Sequence, residues 1–467
     1  MVFSSPFFLL GFLPVFLLAY FLVDYKYKNA VVVFFSLFFY MWTEPRFSLV
    51  VMISALIDWG LGSAIAKTDN EKTKRRFLAL AICQNLGILF YFKYVNFFIE
   101  SIIQLFHVSS YSFLEIALPV GVSFVVFEKI TYVVDIYRGT GYPAKRLLSY
   151  LVYVLLFPKL LAGPIIKYHD IADQLQKRNI NAENVIRGTV RFIMGLGKKV
   201  LIADTMGEIA DAVFGLPVAQ LGPQNAWLGA ICYTLQIYFD FSAYSDMAIG
   251  LASIIGFRLM ENFNMPYIAA NFTEFWRRWH ISLSTWIRDY LYIPLGGSRK
   301  PGLRTYWNLW ICFLLSGLWH GANWTFVWWG VYHGIFLALD KLFWLEWQKR
   351  LPRVVNILVT FFLVILGWVI FRATSTGQII PYIQAMFTMN AGPGQFVYIT
   401  ENVKFYLVLG LLCAFVPILP NYEQVINRYK TYSSRPLLEV LAVGLLLVLA
   451  LGKLSAVAFN PFLYFRF

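Results

Sequence analysis

The sequence predicts an all-α polytopic membrane protein: a bundle of about eleven or twelve transmembrane helices, with re-entrant and amphipathic interfacial helices added. Three observations predict it. Hydrophobic residues fill 59% of the 467 positions and charged residues only 14%, whereas soluble domains carry about 25% charge. The mean hydropathy of +0.63 agrees. Apolar runs recur at Phe7–Val23, Phe47–Ala66, Trp227–Leu251, Val354–Phe371 and Leu437–Phe459, each long enough to cross roughly 30 Å of hydrocarbon. Basic residues, finally, are unevenly placed between these runs.

That unevenness sets the expected topology. Basic stretches lie at Lys67–Arg76, Arg138–Arg146, Arg258–Arg304, Lys341–Arg353 and Arg428–Arg435, while Glu100–Glu115, Asp204–Asn225 and Ala373–Asn402 contain no Lys or Arg. The positive-inside rule puts the first set in the cytoplasm and the second outside, with both termini outside. The net charge of +14 is then a loop property, and nucleic-acid binding is excluded because no soluble basic domain exists to carry it. The N-terminal apolar run lacks a preceding basic region and a small-residue cleavage site, so it reads as a retained span. Tyr150–Ile166 is broken by Pro158 and by Gly163-Pro164. It reads as a re-entrant segment, tolerable at membrane depth only if protein buries it. Residues 1–467 are expected to form a single integral membrane domain.

Cys83, Cys232, Cys312 and Cys413 all sit in apolar runs with no close pair. They read as small buried hydrophobes, with no disulfide framework or zinc site. The five histidines lack metal-ligand spacing, and neither a G-x-S-x-G elbow nor a phosphate-binding Walker loop is present. His107, His169 and His333 read as packing or surface residues.

Three polar neighbourhoods resist a lipid-facing explanation. The first is Tyr238–Asp246, which places Asp240 and Asp246 inside an apolar run. On a helix Asp240 shares a face with Gln236, and Asp246 points elsewhere, so the acids do not form one dyad. They are either functional groups or scaffolding that anchors interhelical hydrogen bonds or pairs with buried Arg. The second is Phe275–Tyr290. Trp276, Trp279, Leu283, Trp286 and Tyr290 step by three and four residues, giving an aromatic stripe on one amphipathic helix at the cytoplasmic interface. Arg277, Ser284 and Arg288 gather on the other side near His280, and Arg278 and Asp289 occupy a third sector. Such a helix is either a membrane-surface element or a site whose arginines hold the phosphates of a donor. The third is Ser316–Trp324, where Gly317 and Gly321 flank His320 and Asn323 follows. Glycines there permit close packing or a break. A histidine at that depth is costly to charge, so it is expected neutral and able to accept a proton; the alternative is a histidine bonding across two helices.

These neighbourhoods resemble the membrane-bound O-acyltransferase (MBOAT) family, in the bacterial branch of AlgI-, PatA- and DltB-type proteins, and most closely its AlgI/PatA-type O-acetyltransferases. The likeness runs nearly end to end, through Met1–Ser5, Tyr238–Gly250, Phe275–Gly297, Gly317–Trp324 and Asn460–Phe467. It implies the MBOAT fold with a central tunnel, and no bound cofactor or metal. It also implies a multi-pass protein of the bacterial cytoplasmic (inner) membrane. The implied activity takes acetyl from a cytoplasmic thioester, acetyl-CoA, and passes it across the membrane. The acceptor is an extracytoplasmic polysaccharide such as peptidoglycan or an alginate-like polymer, reached through an SGNH-type acetyltransferase partner. The family's principal histidine falls on His320 and its second on His280. Under this reading Arg277, Arg278 and Arg288 guide the donor. Trp319, Trp324 and Trp328 wall the tunnel, Asn323 stabilises an oxyanion, and Asp240 and Asp246 are structural or line the acceptor path. An aromatic tail of Phe462, Tyr464, Phe465 and Phe467 is either a partner-docking patch or a lipid-interface belt. Two other classes, an acyl-group transporter or flippase and a non-catalytic scaffold of a polysaccharide secretion complex, share buried acids and broken helices.

Overall fold

A computed structural model describes residues 1–107, 116–299, 302–388, 396–418, 436–456 and 461–463, and among these every regular element is helical. Four helices combine the length and hydropathy of a membrane span: Pro45–Lys67, Glu71–Leu105, Arg353–Arg372 and Leu438–Ala456. Phe7–Leu22 is a shorter apolar helix. The apolar runs thus become helices because in hydrocarbon only a helix satisfies its own backbone groups. Exposed side chains such as Leu10, Leu18, Phe34 and Val448 are solvated by lipid on this reading.

The described chain divides into two compact units, Met1–Phe192 with Ser245–Met260, and Ile193–Tyr244 with Glu261–Phe467.

The first unit is organised around the helix Val122–Arg138, which is buried from Val122 to Ile136. It carries three ionisable side chains inward, and each meets a partner. Lys129 pairs with Asp58 at 3.2 Å, Glu128 with Lys159, and Asp135 with His169 at 2.8 Å. Asn85 adds two 3.0 Å hydrogen bonds to Asp58. Buried charges persist only when matched in this way. The stretch 150–166 is broken, as its prolines require, into Leu147–Leu155, the turn Phe157–Leu160 and an extended exit. Every residue of it is buried, and its polar groups are used: Tyr153 donates to the Ile166 carbonyl at 2.8 Å and the Phe157 N–H to Ser36 at 3.1 Å.

The second unit holds the long apolar core. Trp279, Trp329, Trp368, Tyr233, Tyr267 and Tyr382 are almost wholly enclosed. Leu303–His320 and Trp324–Leu339 form a tight helical hairpin. Gly317 and Gly330 make that approach possible: a Cβ on Gly317 would sit 2.3 Å from the Phe326 carbonyl oxygen, and one on Gly330 2.5 Å from that of Phe313.

Two expectations are corrected here. The stretch Phe275–Tyr290 is not one interfacial helix but two, Phe272–Arg278 and Ile281–Ile287, continued by a wide turn at Arg288–Tyr292. Its stripe of Trp276, Trp279, Leu283 and Trp286 is buried in protein rather than laid among lipid headgroups. Of the cysteines, Cys232 and Cys312 are buried as expected, whereas Cys83 and Cys413 are exposed on apolar helices.

Candidate functional site

His320 is the last residue of its helix. Gly321 then turns extended, at φ −163° and ψ 149°, and a Cβ there would strike the Phe326 ring at 2.1 Å. Asn323 starts the next helix by accepting a 3.0 Å hydrogen bond from the Thr325 N–H, a typical N-cap. The histidine side chain points inward and is buried. Its ring lies 5.0 Å from Trp319, 5.0 Å from Trp329 and 5.4 Å from Phe371.

His280 reaches the same chamber from the loop between spans. It is the hinge between the two short helices, with a left-handed backbone at φ 44°, a conformation uncommon for residues other than glycine. Asn262 holds it there. The Asn262 carbonyl accepts from the Ile281 N–H at 2.9 Å. Its side-chain oxygen accepts from the Ser282 N–H at 3.2 Å and the Ser282 hydroxyl at 2.8 Å. The same oxygen lies 3.2 Å from His280 Nδ1. An amide oxygen only accepts, so Nδ1 carries the proton and Nε2 presents its lone pair. Burial pushes the His280 imidazolium down to about 3, which keeps the ring neutral.

The two histidine rings stand 6.4 Å apart, and the Trp319 ring lies 5.8 Å from His280. Two stretches separated by 40 positions therefore supply one buried chamber.

Beside it is a cavity of about 510 Å³ in the same unit, lined by Arg277, Ser284, Arg288, Trp276, Cys312 and Ser316 among others. Arg277 and Arg288 are exposed, and Arg288 also pairs with Asp289 at 2.7 Å. Cys312 and Ser316 precede His320 by two turns and one turn of a single helix, so Ser316 lies about 6 Å from it along the axis. Neither histidine lines the cavity itself.

The remaining expected residues are distributed differently. Arg278 is bound to Glu274 at 2.9 Å and to the Asn264 carbonyl at 3.0 Å, away from the cavity lining. Asn323 is exposed and spends its oxygen on the helix cap. Trp324 and Trp328 are 48% and 53% exposed and do not wall the chamber. Four residues apart, they share the outer face of their helix, and Trp329, one position on, faces His320. His333 is buried and accepts a 3.2 Å hydrogen bond from Trp276 Nε1, joining the chamber wall to the cavity wall. Asp246, in the first unit, pairs with Arg191 at 2.9 Å. Asp240, in the second, pairs with Lys199 at 2.6 Å. Phe462 is 1% exposed, which removes it from any surface docking patch; Tyr464, Phe465 and Phe467 lie outside the described residues.

Sequence reasoning missed Asn262, Ser282, Trp329, Phe371 and Lys199. Only Lys199, a cation between apolar runs, carried a local signal.

Residues 144–377 match the family model for membrane-bound O-acyltransferases (MBOAT). Over the full length of both chains the protein is 40% identical to the probable alginate O-acetylase AlgI of Pseudomonas putida. It is 34% identical to the peptidoglycan O-acetyltransferase of Helicobacter pylori, over 84% of this chain and 80% of that one. Identity to the teichoic acid D-alanyltransferase of Bacillus subtilis is 28%, covering 54% of this chain and 68% of the other.

Proposed function

The chain belongs to the membrane-bound O-acyltransferase family and is an acyltransferase, and from that premise we propose that it O-acetylates a polysaccharide across the bacterial cytoplasmic membrane. Acetyl-CoA is the donor on the cytoplasmic side. The acceptor lies outside, in the class named by the relatives, alginate or peptidoglycan, and an SGNH-type partner completes the delivery. One observation carries this reading: two buried histidines 6.4 Å apart beside a cavity of about 510 Å³ edged by Arg277 and Arg288.

The chemistry follows from the groups present. Arg277 and Arg288 offer planar donor forks to the phosphates of the donor. The apolar wall of Trp276, Leu283 and Phe313 suits its thioester arm. His320 takes the proton of the acceptor hydroxyl as its oxygen attacks the thioester carbonyl. The tetrahedral intermediate collapses with loss of the thiolate, which recovers that proton from His320. His280, neutral and held by Asn262, accepts a hydrogen bond at Nε2 and so orients the acceptor or His320. The enclosed aromatic chamber keeps water from hydrolysing the thioester.

Purified protein incubated with radiolabelled acetyl-CoA and an oligosaccharide acceptor, with and without its partner, tests the proposal. Label in the acceptor that requires His320 is the expected result. A His320→Ala protein that inserts normally and transfers at full rate would sink it, and no transfer by the native protein would favour a transporter or scaffold.

A further inference from the structure

Lys199 is a lysine enclosed among apolar helices, and residues 461–463 supply part of its chemistry. It lies in the wide helical turn Lys198–Ala203. Such π-type turns insert one residue into a helix, re-aim side chains and are frequent at functional positions. Lys199 is buried, and an ammonium has three N–H donors to satisfy. Asp204 pairs with it at 2.8 Å and Asp240 at 2.6 Å. The third acceptor is the main-chain carbonyl of Pro461, at 3.3 Å.

The same short segment completes Asp240. One carboxylate oxygen faces Lys199; the other accepts the Leu463 N–H at 2.6 Å. Between these two backbone contacts the Phe462 ring lies 4.6 Å from the Lys199 nitrogen and edge-on to Tyr244 at 4.9 Å. The helix leading to the segment, Pro436–Ala456, is laid along the same stretch of chain: Leu446 packs onto Gly197, where a Cβ would approach it to 2.7 Å, and Lys453 bonds Thr205. A purely structural ion cluster balances itself. This one lacks an acceptor and a donor until residues 461–463 supply them, and leaving buried charged groups unmet is costly.

We infer that Lys199, Asp204 and Asp240 form a peptide socket whose ligand is the chain's own Pro461–Leu463 segment. The socket reads one carbonyl, one N–H and one aromatic ring between them. Seating that segment is the role of these buried charges.

The test is the accessibility of residue 463 in the full-length protein. Leu463→Cys is introduced into a background where Cys83, Cys232, Cys312 and Cys413 are alanine, and its reaction with N-ethylmaleimide is timed in detergent. The seated segment labels slowly. Lys199→Met and Asp240→Asn should each speed labelling at least tenfold. Val364→Cys, buried in the helix Arg353–Arg372 of the same unit, should stay slow in the same backgrounds. The double variant Lys199→Met/Asp240→Leu decides the matter if a single variant loosens the whole fold, because apolar replacement of a buried ion pair preserves packing. Fast labelling at 463 with Val364→Cys still protected supports the socket. Labelling at 463 as slow as in the parent protein overturns it.

Discussion

Both histidines of the chamber sit where a helix breaks, and the two breaks are built in opposite ways. At His320 the break is local. Gly321 opens the backbone, Asn323 caps the next helix three residues after the histidine, and Gly317 and Gly330 let the two arms close. At His280 the break is made from a distance. No glycine is present, the histidine itself takes the left-handed conformation, and Asn262, 18 residues earlier, supplies the missing acceptors. A locally built break survives the loss of its neighbours better than one that hangs on a single remote side chain. The difference predicts which substitutions cost chemistry and which cost structure.

The largest expected effect is at the local break. His320→Ala should lower acetyl transfer by about 10²–10⁴-fold, the range for a general base, with unchanged membrane insertion and melting temperature; a drop in both together would make the residue structural. Next comes the chamber wall. Trp329→Ala should cost about 3–5 kcal/mol as a large buried side chain is lost, whereas Trp328→Ala, on the outer face, should stay within about 0.5 kcal/mol. Paired thermal melts in detergent check this, and equal losses would mean the two faces have been exchanged.

At the remote break, Asn262→Ala should cost about 1–3 kcal/mol for unmet buried groups. It should also release His280 from its fixed tautomer. The pH dependence follows from the same site. The folded imidazolium is held down at about 3 and the unfolded one titrates near 6.5. The stability gained by burying a neutral ring is therefore full above about pH 6.5 and is lost as pH falls from there toward 3. Melting temperature should drop more between pH 7 and 5 in the parent than in His280→Gln, and parallel curves would contradict the assignment.

At the cavity rim, Arg277→Ala or Arg288→Ala should raise the KM for acetyl-CoA about tenfold, equivalent to 1.4 kcal/mol, with kcat nearly unchanged, as loss of uniform binding requires. Ser284→Cys, on the cavity lining, should be protected from a thiol reagent by acetyl-CoA. The smallest effect should be Asn323→Ala, about 1 kcal/mol for a lost cap with transfer preserved; a large fall in kcat would restore that residue to the chemistry.

The same contrast explains what could be read in advance. Composition and run length were enough for the membrane helices, because hydrocarbon admits so few structures. The break at His320 was visible through its flanking glycines, which act on adjacent residues, whereas the role of the histidine came from the family resemblance. The 3,4,3,4 stripe through Trp276 and Trp286 was also real, but periodicity runs across a hinge when both halves bury the same face, so the break at His280 was invisible. Adjacent Trp328 and Trp329 could not be ranked without knowing which side of their helix met the core. Asp240 and Asp246 were recognisable as groups needing partners, yet Lys199 and Arg191 are 41 and 55 positions away, and nothing beside the acids points to them.

The socket at Lys199 also has a history in time. Its last acceptor, the Pro461 carbonyl, lies 262 residues further along the chain. At about 5–20 residues per second, translation needs on the order of 13–50 s to deliver it. Until then, among the described residues, the buried ammonium and Asp240 have only Asp204 and each other. The nascent protein thus passes through a dated, chemically incomplete stage, and residue 463 is a natural place to attach a reporter of when assembly of this unit is finished.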